Sequence, residues 1–91
     1  AVNDSMAIGA IRAAAQDGRQ APDDLSVVGF DDIAWAQLND PPLTTVRIPK
    51  TQMGREAGKR LINLLSDPEA APVEVTVGVE LVARASSGLK K

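Results

Sequence analysis

Four polar side chains stand where they could hold a small molecule: Asn3 and Asp4 near the start, and Asp31 and Asp32 at the end of an apolar run. An ionised Asp accepts hydrogen bonds and an Asn both donates and accepts, which suits sugar hydroxyls or the edge of a base. Catalysis is a poorer match. Adjacent carboxylates on an extended chain point to opposite sides, unlike the opposed acid and base of a glycosidase. The sequence has no His, so a Ser-His-Asp relay is unavailable, and no Gly-x-Ser-x-Gly elbow occurs. Gly29-Phe30-Asp31 lacks the glycine spacing of a phosphate loop. Zero Cys and zero His exclude the usual zinc sites, and no metal-ligating residues are singled out. The bland use of such residues is helix capping. Asp4 is read as a plain cap, and for Asp31 and Asp32 capping competes with ligand contact. Asn3 differs, because it falls at a strand-to-helix junction of the kind that opens into a ligand crevice.

The elements that must position these residues follow from periodicity. Ala7, Ile8, Ile11, Ala14 and Ala15 recur at helical spacing, and Gly18 stands at a helix stop, so a first helix is expected over about 4–17. Gly9 within it hints at a close approach. Leu25 to Phe30 reads as a buried strand ending in the two carboxylates. Ile33 to Leu38 can form a short helix that Pro41-Pro42 stops, and Leu43 to Ile48 follows as a strand. Met53, Ala57, Leu61, Leu64 and Leu65 mark a second long helix over about 50–65, its charges Arg55, Glu56, Lys59 and Arg60 forming a solvated face. Val73 to Leu81 alternates apolar and polar residues, predicting a long half-exposed strand that reaches Arg84 or Ala85. Ser86 to Lys91 reads as a polar tail, and Trp35, the sole Trp, as a satellite core residue.

Helix, strand, helix, strand is the rhythm of an α/β parallel sheet. Ninety-one residues bury only about 60–65% of their unfolded surface. With no initial Met and a helix pattern that begins within four residues, the chain is expected to be a fragment of something longer. A net charge of −2 leaves no basic field for a phosphate backbone. No apolar run approaches the roughly 18 residues of a membrane span. The absence of Cys fits a reducing compartment.

One ordered series of residues is specific. Asn3-Asp4 leads into Ala7-Ile8-Gly9-Ala10; then come Gly18, Pro22-Asp23-Asp24-Leu25-Ser26-Val27-Val28-Gly29-Phe30-Asp31-Asp32, Pro42-Leu43-Thr44-Thr45-Val46, Met53-Gly54, Ala57, and Glu80 to Ser87. This series resembles the carboxy-terminal part of the LacI/GalR family of bacterial transcription regulators. The resemblance implies a fragment of a parallel-sheet, periplasmic-binding-protein-like (type I) fold that contributes to two subdomains. Residues 1–48 would belong to the carboxy-terminal subdomain, 49–77 to the amino-terminal subdomain, and 78–91 would be the return strand and tail. The helix-turn-helix DNA-binding domain would be absent.

The family resemblance also implies function. An effector, sugar or related, is held between subdomains and controls operator binding allosterically. Asn3 and Asp31 match the family's effector contacts, with Lys50, whose type varies across the family, as a weaker candidate. Ile8, Arg12, Leu38 and Asn39 match its dimer interface, with Trp35 nearby; for Ile8, ordinary core packing is the competing reading. A cytoplasmic homodimer or higher oligomer follows, touching DNA only through the absent domain, with no membrane contact, no cofactor and no enzymatic activity. The rival is a periplasmic sugar-binding protein of a transport system, with the same core and no DNA-binding domain.

Overall fold

The computed structural model describes residues 1–89; Lys90 and Lys91 of the expected tail lie outside the described residues. The chain divides into two compact units. One comprises Ala1–Ile48 and the described residues from Glu80 onward, and the other is Pro49–Val79.

The first unit opens with α1 (Asp4–Gln16), which Asn3 starts by accepting the Met6 N–H on its side-chain oxygen at 2.9 Å. Gly18, at φ 77, follows its end in the left-handed conformation that glycine adopts without cost. Ala7, Ile8 and Ile11 form the buried stripe of α1. They meet Val27, Leu43 and Ala36, the last from the short helix α2 (Ala34–Leu38). This is the core of the unit. Ala7, the one small residue of the stripe, is fully buried in it.

Residues 27–31 run extended and parallel to 44–47, bridged at Val28 with Thr44 and at Asp31 with Arg47. Gly29 N–H donates to Thr44 O and Asp31 N–H to Val46 O, both at 2.9 Å. Strand β1 (Thr45–Arg47) pairs on its other edge with β2 (Glu80–Val82), antiparallel, with Val46 opposite Leu81. The expected first strand is thus present as an extended bridge segment. It is covered on one face only: Val27 and Gly29 are buried, whereas Val28 and Phe30 are 39% and 40% exposed.

Several expectations need correction. The alternating run 73–79 is not a strand, and only residues 80–82 of that stretch pair. Alternation specifies which face a strand would bury, but a strand also needs a neighbour to receive its N–H and C=O groups. Ser86 is no tail residue. It is fully buried, its hydroxyl accepts the Thr44 N–H at 2.8 Å and donates to Val27 O at 2.7 Å, and its backbone bonds Val27 N and Pro42 O. Trp35 is 59% exposed rather than core. Gly9 meets no close neighbour, since a Cβ built there touches nothing within 4 Å.

In the second unit α3 (Lys50–Ser66) follows Pro49 and buries none of its residues. Arg60 donates to Ala71 O at 3.0 Å, folding the following coil back along the helix. Together they frame a groove of about 240 Å³ lined by Met53, Glu56, Ala57, Arg60, Val73, Val75 and Val77.

Candidate functional site

The amino end of α1 and the end of the extended segment 27–31 are tied by a direct backbone bond, Asp4 N–H to Phe30 O at 3.1 Å. That bond puts Asn3 and Asp31, the residues flanking it, at one end of the first unit. Asn3 is half-buried and already accepts the Met6 N–H on its carbonyl oxygen. Its amide group is not used by that cap, so capping and ligand contact are compatible roles for one side chain.

Asp31 and Asp32 have φ of 120° and 56°. Positive φ is uncommon outside glycine, and such conformations cost about 1–3 kcal/mol each and cluster at functional sites. The chain therefore turns sharply where the extended segment ends. Gly29, just before the turn, cannot carry a side chain: a Cβ there would collide with the Asp4 carboxylate and lie 3.0 Å from Leu43 Cδ2.

Asp4 and Asp32 are not caps. Asp4 is fully buried; its carboxylate accepts the Thr45 hydroxyl at 2.5 Å and the Ile33 N–H at 2.8 Å. The short helix α2 has no side-chain cap at all. Asp32 instead takes Arg84 Nη1 on one oxygen at 2.8 Å and Arg47 Nε on the other at 2.7 Å. The Arg84 hydrogen bond, joined by that of Arg47 and by the charge of both, holds the Asp32 carboxyl below its ordinary 3.8, although burial pulls the other way. Asp32 in turn raises the pKa of the exposed Arg47 guanidinium above its ordinary value. Arg84 Nη1 also reaches Leu43 O at 3.0 Å, and Arg47 lies 3.7 Å from Glu80.

Sequence reasoning missed this clamp and the Thr44–Ser86–Ser87 cluster beside it. Thr44 Oγ1 donates to Arg84 O, accepts from Arg84 N–H, and lies 2.7 Å from the Ser87 hydroxyl. A signal existed, since an Arg between apolar residues near the chain end, followed by two Ser, would be odd in an exposed tail. No spacing rule connected it to Asp32, 52 positions earlier.

Of the other candidates, Lys50 is the first residue of α3 and lies in the second unit. Ile8 is 8% exposed and packed in the core. Arg12 is on the outer side of α1 and exposed, Leu38 is 68% exposed, and Asn39 closes α2 while its side chain donates to Pro41 O at 3.0 Å. Among the described residues no cluster of His, Cys, Asp or Glu could hold a metal ion, and no helix is long and apolar enough to cross a membrane.

A parallel bridge segment, a helix starting beside its end, and a chain that leaves and re-enters one unit define an α/β architecture. The chain belongs to the family of periplasmic binding protein-like domains, whose family model matches residues 1–87. It is 47% identical to the HTH-type transcriptional regulator MalR of Streptomyces coelicolor over 85 residues, 93% of this chain and 25% of that protein. The chain thus spans about a quarter of the length of the curated relatives it matches. Among solved structures, a LacI family regulator from Enterococcus faecium with bound ribose superposes with a TM-score of 0.87 at 30% identity, covering 99% of this chain and 34% of that one. The lac repressor dimer bound to operator and an anti-inducer gives 0.82 at 36% identity, covering 94% and 30%. The fold and the LacI/GalR resemblance read from the sequence both hold.

Proposed function

We propose that this chain is the effector-sensing portion of a DNA-binding transcriptional regulator that responds to a sugar or related small molecule. The observation that carries the reading is the joining of Asn3 and the Asp31 turn at one end of the first unit, where open α/β folds take their ligands. The ribose-bound relative supports a sugar, and regulator relatives favour this reading over the transport protein and over an enzyme. Asn3 and Asp31 contact the effector, and Lys50 is a further candidate. The first unit is the carboxy-terminal subdomain, and residues 49–77 belong to the amino-terminal one.

The regulator acts in the cytoplasm as a dimer. Arg12, Leu38 and Asn39 form its contact surface, while Ile8 supports that surface from the core side. Effector binding shifts the population between arrangements of the dimer that differ in operator affinity, and linkage requires operator to change effector affinity by the same factor.

The test is titration of the full-length protein with ribose, cellobiose and lactose by calorimetry, with and without operator DNA. Asp31→Asn is expected to weaken sugar binding at least about tenfold, or 1.4 kcal/mol, and to leave sugar-free operator affinity unchanged. Equal loss of both would make Asp31 a structural residue, and sugar titration that leaves operator affinity unmoved would refute the coupling.

A further inference from the structure

The geometry points to Asp4 as a positioning residue that presents Asp31 to the ligand. Asp4 grips the turn on both sides of the strained pair. Its backbone N–H donates to Phe30 O at 3.1 Å, just before Asp31, and its carboxylate accepts the Ile33 N–H at 2.8 Å, just after Asp32. One residue therefore spans the two positive-φ residues and fixes the peptide groups at each end. A third bond, from the Thr45 hydroxyl at 2.5 Å, ties the same carboxylate to β1, so the turn is referenced to the strand as well as to α1.

The rest of the surroundings fits this use. The carboxylate is fully buried, and it sits in the first turn of α1, where the helix dipole favours a negative charge. Gly29 leaves the space that the carboxylate fills. Asp32 is held separately, its carboxylate taking Arg84 on one oxygen and Arg47 on the other. The direction of the Asp31 Cα–Cβ bond follows from its φ of 120°, and an Asp released from constraint relaxes toward negative φ. Asp31 N–H also donates to Val46 O and Asp4 N–H still bonds Phe30 O, so losing the Asp4 carboxylate releases the turn at its Ile33 end. The turn relaxes there and the Asp31 carboxylate loses its fixed direction, while the Ala7, Ile8, Ile11, Val27, Ala36 and Leu43 core remains packed.

This inference rests on the reading of Asp31 as an effector contact, and the experiment separates the two. Hydrogen exchange of the full-length protein is followed for peptides covering residues 29–34 and 7–14, in wild type, Asp4→Asn, Asp4→Ser and Thr45→Val. Sugar affinity is measured on the same samples with ribose, cellobiose and lactose. Asn keeps an acceptor for Ile33 N–H, and its amide can donate to the Thr45 oxygen, whereas the Ser hydroxyl ends one bond short of both partners.

Asp4→Ser is expected to speed exchange over 29–34 by about tenfold or more while 7–14 stays within about twofold, and to weaken any sugar the wild type binds by about tenfold. Asp4→Asn is expected to stay within about threefold of wild type in both measurements, and Thr45→Val, which removes one of the two side-chain bonds to the carboxylate, to fall between Asp4→Asn and Asp4→Ser. The assignment is overturned if Asp4→Ser exchanges like wild type over 29–34, or if exchange rises equally in both peptides. Loss of folding in Asp4→Ser, where the other two variants fold, would make Asp4 merely structural and overturn it as well. Failure of the wild type to bind any of the three sugars would count against the sugar reading alone, because the exchange comparison still decides the grip.

Discussion

Replacing Gly29 by Ala tests the packing on which the site depends. The added Cβ would overlap Oδ1 of Asp4, approach the Asp4 Cα to 3.1 Å and approach Leu43 Cδ2 to 3.0 Å. The first contact cannot be relieved cheaply, because the carboxylate is pinned by Thr45 and Ile33 and is wholly buried. Overpacking of this kind costs about 1–3 kcal/mol. Losing one hydrogen bond to a charged group as the carboxylate shifts adds about 1.5–3 kcal/mol. Ala offsets about 0.4–1 kcal/mol of this by restricting the unfolded chain. The net expectation is a loss of about 2–5 kcal/mol, a large part of the stability of an ordinary domain. Urea denaturation of the full-length protein reads it as a lowered midpoint at unchanged slope. Gly9→Ala is the internal control: its Cβ meets nothing, and replacing a mid-helix Gly should stabilise by about 0.5–1 kcal/mol. A Gly29→Ala protein within about 0.5 kcal/mol of wild type would refute the reasoning, since that is the range of an inconsequential surface change.

Three further outcomes follow from the same contacts. Asp32 has its pKa lowered by the Arg84 hydrogen bond first and then by Arg47, so its contribution is present above its unfolded value near 3.8 and is lost as pH falls below that through the folded value. Asp32→Asn should therefore cost about 2–3 kcal/mol at pH 7 and flatten the fall in urea midpoint below pH 4; an unchanged acid limb would refute the clamp. Ser86→Ala strands the buried Thr44 N–H and should cost about 1–3 kcal/mol by the same assay, a loss under about 0.5 kcal/mol counting against it. For the proposed dimer, Leu38→Glu should leave folding of the full-length protein by circular dichroism unchanged, because the residue is mostly exposed, and raise the dissociation constant by about tenfold or more in sedimentation; an unaltered constant would remove Leu38 from the proposed interface.

Where the signal was local, the sequence spoke clearly. The α1 stripe of Ala7, Ile8 and Ile11, the stop at Gly18, the Pro41-Pro42 break after α2 and the span of α3 depend on spacing within one or two turns, and each lies where periodicity put it. The apolar run before Asp31 was legible as extended chain, though not its one-sided covering. That depends on which other segments reach Val28 and Phe30. The alternation of 73–79 failed as a strand for the same reason, because pairing needs a partner that no local pattern supplies. Trp35 was misplaced because burial statistics carry no information on where a short helix faces.

At the candidate site the division follows the same line. Residue chemistry and order alone singled out Asn3 and Asp31 as polar groups beside helix and strand ends, and tied the series to its family. Only the tertiary structure gave the neighbours of Asn3 and Asp31 their partners: Asn3 caps while Asp4 is buried against Thr45 and Ile33, and Asp31 sits at the turn while Asp32 is held by Arg47 and Arg84. Those partners lie 15 to 52 positions away along the chain. A hydrogen bond depends on distance in space, and folding brings such positions together through a shared core that local periodicity describes one stretch at a time.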